Sequence, residues 1–219
     1  MKKSMTGLLA AAITAGMFAA APAAAYDQGN FIARAGAAGV YPTGDSESLD
    51  ASGSKVEADS AWSLGLSFTY MATENIGVGL LGAWPFDHDI EGSDGDIDDV
   101  DIGSTKHLPP TLTAQYHFDL ANKKIHPFVG AGINYTYFFD EESDLAGTKD
   151  LDLDNSWGWA LEAGIDYELD NNWLLGAQVF YISIETEADI TANDGSKAVD
   201  GLDVDINPWV FMVSVGRKF

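Results

Sequence analysis

Apolar residues in this chain alternate with small or polar ones, and that period of two limits what the chain can fold into. In AWSLGLSFTYM, Trp62, Leu64, Leu66, Phe68 and Tyr70 fall on one side, and Ser63, Gly65, Ser67 and Thr69 on the other. In WGWALEAGIDYEL, Trp157, Trp159, Leu161, Ala163, Ile165, Tyr167 and Leu169 oppose Gly158, Ala160, Glu162, Gly164, Asp166 and Glu168. Successive side chains of a strand point to opposite faces, so each segment has one bulky apolar face and one small or polar face.

Read along the chain, this pattern predicts eight strands, near 30–41, 62–72, 75–86, 107–119, 125–139, 156–169, 173–184 and 205–219. Each is long enough for a tilted bilayer crossing, which takes about 9–11 residues. The connections alternate in length. Three are tight, near Thr73–Glu74, Ala121–Lys124 and Asp170–Asn172, and four are long, over 42–61, 87–106, 140–155 and 185–204. An even strand number, short periplasmic turns and long outer loops form the pattern of a bacterial outer-membrane barrel.

A soluble sandwich or lipocalin-like barrel also alternates, but it turns the apolar face inward. Two features turn it outward here. The opposite face is rich in glycine and carries Arg34, Glu162 and Asp166, a poor composition for a dry core. All six tryptophans lie near strand ends, Trp62, Trp84, Trp157, Trp159 and Trp209 toward the long loops and Trp173 toward the turns. Indole rings collect at membrane–water boundaries as aromatic girdles.

The first residues read as an export signal. Lys2 and Lys3 precede an apolar run from Leu8 to Ala20, and APAAA ends at Ala25 with small residues at Ala23 and Ala25. The expected division is a cleaved signal peptide over 1–25 and the barrel over 26–219, beginning at Tyr26. Losing both lysines takes the formal net charge from −23 to −25. That charge argues against nucleic acid, whose phosphates need a basic surface. There are no cysteines, so hydrogen bonding and packing must hold an exported chain together. No run of 18 apolar residues follows residue 25, although hydrophobic residues make up 46% of the chain.

Four strings resemble the OmpW family of outer-membrane proteins: HLPPTLTAQYHF (107–118), PFVGAGINYTYFFD (127–140), SWGWALEAGIDYEL (156–169) and DINPWVFMVSVGRKF (205–219). The resemblance spans essentially the whole mature chain, the acidic loops excepted. It implies an all-β, eight-stranded antiparallel transmembrane barrel with a narrow, partly hydrophobic channel. It also implies passage of small hydrophobic molecules, as in related alkane-uptake proteins. The closing Phe219 looks like the signal read by the barrel-assembly machinery.

Assigning faces gives a lining for the lumen. At the loop side stand Val40, Ala83, Phe138, Ile182, Val210 and Met212, with Leu81 and Phe180 slightly deeper. Below them come Arg34, Gln115, His117, Glu162 and Asp166. An eight-strand barrel is just wide enough for side chains or one small ligand, so an apolar upper chamber either fills itself or holds an alkyl chain or small aromatic. Arg34 is a costly lone charge there, and one or both of Glu162 and Asp166 should pair with it as a structural plug, with a gate as the alternative.

Proline cannot complete a ladder. Pro85 and the Pro109–Pro110 pair fall near the outer ends of the third and fourth strands, which suggests a lateral seam. Pro42 and Pro208 form a second such pair at the junction of first and last strands, where ordinary termination is the simpler reading.

Between Asp87 and Asp101 there are eight carboxylates. They lack the ligand order of a calcium loop and read as a solvated surface, or one bridged to lipopolysaccharide by divalent ions. The histidines (His88, His107, His117, His126) are scattered and no cysteine nucleophile exists, so no enzyme, metal or cofactor is expected. The expected partners are outer-membrane lipid and lipopolysaccharide, small hydrophobic solutes and the assembly machinery. The alternative function is a structural or adhesive barrel with a plugged lumen.

Overall fold

A computed structural model describes residues 25–44, 55–92, 101–143 and 148–219. Residues 1–24, and with them most of the expected signal peptide, lie outside the described residues, as do 93–100 of the acidic loop. The strands are β1 (Phe31–Tyr41), β2 (Val56–Ala58), β3 (Ala61–Met71), β4 (Ile76–Ala83), β5 (Phe86–Gly92), β6 (Asp101–Leu108) and β7 (Thr111–His117). They continue as β8 (Ile125–Ser143), β9 (Thr148–Leu153), β10 (Ser156–Glu168), β11 (Trp173–Ile182), β12 (Glu185–Ala192), β13 (Lys197–Asp205) and β14 (Trp209–Lys218).

Eight of these form the wall, in the order β10-β11-β14-β1-β3-β4-β7-β8, and β8 pairs back to β10 to close the circle. Every pairing is antiparallel. Closure leaves no wall strand with a free edge, which is what a strand in hydrocarbon requires. The last residue joins the closure, with Phe219 N donating to Phe31 O at 2.8 Å and Phe31 N to Phe219 O at 3.0 Å.

The bulky face points away from the barrel axis. Trp62 is 64% exposed and Leu64 53%, while their neighbours Ser67 and Thr69 are buried. In β10, Trp157 is 71% exposed whereas Glu162 and Asp166 are buried. Inward small residues let the strands approach. A Cβ on Gly36 would come 1.9 Å from the Val213 carbonyl oxygen of β14.

The long connections depart from expectation. Segments read as loops continue above the wall as β-structure. β5 pairs β6, β6 pairs the upper part of the 19-residue β8, and β12 pairs both β13 and β9. Their alternation was masked by acidic residues, because a strand standing in water needs no apolar outer face. The expected strand 75–86 stops at Ala83 and resumes as β5 at Phe86. The expected 107–119 is likewise split, by Pro109–Pro110, between β6 and β7. The expected 205–219 begins only at Trp209, after Pro208.

Candidate functional site

The lumen has two zones. In the lower one, β1 presents Arg34 inward and β10 presents Asp166, and the two meet in a forked pair. Arg34 Nε donates to Asp166 Oδ1 at 2.9 Å and Nη2 to Oδ2 at 2.5 Å, and Nη1 donates to Thr69 Oγ1 at 3.0 Å. Both charged side chains are fully buried. The guanidinium also lies over the Phe128 ring, 5.4 Å from its centroid.

Glu162 does not join this ion pair. It stands four residues from Asp166 on the same face, a separation of about 13 Å along a strand, so only one of the two meets Arg34. Three neutral side chains hold its carboxylate. Thr113 Oγ1 donates at 2.8 Å, Gln115 Nε2 at 2.9 Å and Gln178 Nε2 at 3.0 Å.

Tyr26 completes the lower zone, and no sequence pattern marked it. Its ring is buried, and its hydroxyl donates to Asp166 Oδ2 at 3.0 Å. It stacks on His126 with centroids 4.4 Å apart. Lys218 donates to Glu168 at 2.9 Å, and His126 Nε2 to the same carboxylate at 3.1 Å. A recess of about 380 Å³ opens at this rim, lined by Tyr26, Lys124, His126 and Glu168 among others.

The upper zone is apolar. Val40, Leu81, Phe138, Phe180, Ile182, Val210 and Met212 are all buried in one cluster, and Ala83 packs against it. Phe86, at the end of an expected strand, and residues read as loop extend the cluster upward: Ile102, Leu151, Leu153, Ala188 and Ile190. Period-two alternation in ETEADITA was the signal that could have found the last two.

The prolines sit where the wall ladder is interrupted. β4 and β7 pair from Ile76↔Tyr116 to Leu81↔Thr111, and the ladder resumes above as β5 and β6 at Phe86↔His107. No ladder pair joins residues 82–85 to 108–110 among the described residues. Each side is tied instead to its other neighbour. Trp84 N donates to Leu64 O at 2.8 Å, while Tyr135 N donates to Pro110 O at 3.1 Å. The break therefore lies between these two chain segments alone. Pro42 and Pro208 border no such gap, because Thr43 N donates to Ile206 O at 3.0 Å across that junction.

A closed antiparallel barrel with a lipid-facing apolar exterior, aromatic girdles and a divided lumen is an outer-membrane β-barrel, and the chain resides in the bacterial outer membrane. Comparison with known proteins gives the family. The OmpW family model matches residues 27–219, and the chain belongs to that family, whose barrels are non-enzymatic. It is 45% identical to outer membrane protein W of Vibrio cholerae over 100% of both chains. The crystal structure of OprG from Pseudomonas aeruginosa superposes with a TM-score of 0.80 at 36% identity, covering 89% of this chain and 97% of that one. The solid-state NMR structure of AlkL in DMPC bilayers gives a TM-score of 0.68 at 26% identity, covering 91% and 94%.

Proposed function

We propose that the barrel passes small hydrophobic solutes from outside into the membrane, through the break between β4–β5 and β6–β7. One observation carries this reading: the apolar upper zone adjoins the ladder break, while the zone beneath it is filled by hydrogen-bonded polar side chains. An apolar solute gains about 25 cal/mol per Å² on leaving water for the upper zone. Going further down would require displacing a buried ion pair and a carboxylate with three donors. The bilayer is the easier exit.

Arg34 and Asp166, with Glu162 as a separately held carboxylate above them, then act as a plug that keeps solutes from the periplasm. Pro85, Pro109 and Pro110 keep the seam open by withholding amide hydrogens. Residues 1–25 act as the cleaved export signal, and Phe219 as the mark read by the assembly machinery. The acidic outer loops contact lipopolysaccharide through divalent ions. A structural barrel with a plugged lumen is the second reading, favoured by how completely the lower zone is filled.

A crosslink across the seam separates the two. The chain has no native cysteine, so cysteines at Trp84 and Leu108, which flank the break without replacing a proline, can be joined by a short bifunctional reagent. Joining them abolishes hydrophobic uptake, and uptake unchanged by the crosslink overturns lateral exit.

A further inference from the structure

The first ladder pair above the break is Phe86↔His107, and both side chains are buried in the lumen. The His107 ring stacks on Phe86 (centroids 5.5 Å apart, interplanar angle 24°) and on His88 (4.8 Å, 19°), and its centroid lies 5.9 Å from that of Phe138. Four flat rings thus stand together over the seam. In the strand order around the wall, β11 and β14 lie across the lumen from β4 and β7. Those strands present Ile182, Val210 and Met212 and one ring, Phe180. The seam side therefore carries most of the rings of the upper zone.

His88 adds a polar feature. Its Nδ1 lies 2.5 Å from the Asp59 carbonyl oxygen, which only accepts, so Nδ1 carries the proton and Nε2 is left as an acceptor. Nε2 is buried and has no hydrogen-bond partner among the described residues, and His88 is 3% exposed. A buried acceptor without a donor is an uncommon feature, and one that a solute bearing a donor would satisfy.

We infer that Phe86, His88, His107 and Phe138 set the solute preference of the seam, favouring planar aromatic molecules over alkanes and, among aromatics, those carrying a hydroxyl or N–H donor. Offset or edge-on contact with aromatic rings favours another ring beyond its buried area. A phenolic or indolic donor, which loses water on entering the apolar upper zone, recovers a hydrogen bond at His88 Nε2. The inference rests on the lateral-exit reading and narrows it to a class of cargo.

The test uses the full mature chain in vesicles with a lipopolysaccharide outer leaflet, with the uptake of protein-free vesicles subtracted. The probes are n-decane, naphthalene and 1-naphthol. The wild type should take up 1-naphthol fastest and decane slowest. Replacing Phe86→Leu together with His107→Leu should lower the naphthalene-to-decane ratio roughly threefold to tenfold while decane uptake persists. His88→Leu should remove the advantage of 1-naphthol and leave naphthalene unchanged. His88→Phe, which keeps a flat ring without the acceptor, should do the same and serves if the leucine variant misfolds. Folding is checked by the heat-dependent shift of the barrel on electrophoresis. Ratios unchanged in folded variants overturn the inference and leave lateral exit standing. A wild type that moves none of the three probes overturns lateral exit itself, and the cargo inference with it.

Discussion

The lower half of the lumen is walled by the eight strands alone, the upper half is carried on by β5, β6, β9 and β12, and the two are built on opposite principles. Below, a charge is buried only where partners reach it: Arg34 has Asp166 and Thr69, Asp166 also has Tyr26, and Glu162 has Thr113, Gln115 and Gln178. Above, side chains are apolar and the wall ladder is interrupted at three prolines; among the described residues, buried polar atoms without a partner occur in both halves, at His88 Nε2 above and at His117 Nδ1 and Gln178 Oε1 below. Buried charge is thus confined to the level where donors and a counter-charge reach it, and apolar side chains gather where the ladder is interrupted.

The largest effect expected from breaking this contrast lies in the lower half. Asp166→Leu strands the Arg34 guanidinium without a counter-charge and should cost about 3–5 kcal/mol. The double replacement Arg34→Met with Asp166→Leu should recover most of that loss. Urea unfolding in micelles measures both, and a double variant no better than the single would show that the pair is not what holds this zone. On the outer face, Leu66→Arg at mid-wall should cost about 2–4 kcal/mol, against about 0–1 kcal/mol for Trp62→Arg at the girdle. Equal costs would contradict the depth assigned to the two positions.

Smaller effects sharpen the comparison. Tyr26→Phe removes one buried hydrogen bond to a carboxylate that keeps its arginine, and should cost about 1.5–3 kcal/mol. The upper half should instead show a pH signature in the β5–β6 hairpin, which stands above the girdle. Burial pushes the His88 imidazole below its ordinary value. The neutral ring therefore favours the folded hairpin. That contribution is complete above the unfolded value of about 6.5 and is lost as pH falls below it. Amide exchange in β5 and β6, corrected for intrinsic rates, should report less protection at pH 5 than at pH 7. His88→Gln should reduce the difference, and the His107 imidazole, stacked on it in β6 and pushed down by the same burial, should account for the remainder.

Much of the wall was legible because membrane strands are read on two faces at once. AWSLGLSFTYM predicted 62–72, and β3 runs Ala61–Met71. The turn at Asp170–Asn172 was equally clear, since asparagine tolerates the positive φ of 60° at Asn171 and 62° at Asn172. The extension above the wall was not legible, because acidic outer faces in water hide the same alternation. The pairing of Arg34 was visible as a need, but its choice of Asp166 over Glu162 depends on strand stagger, which no single segment encodes. Tyr26 left no trace at all. Its partner Asp166 lies 140 residues away, and only barrel closure brings them together.

Vesicles carrying both a hydrophobic probe outside and a small sugar inside give the most direct test of the proposed lateral passage above a plugged lower lumen. The expected result is protein-dependent uptake of the probe with the sugar retained at the protein-free rate. Sugar escaping through the folded wild-type barrel, or a probe entering no faster than without protein, would contradict it.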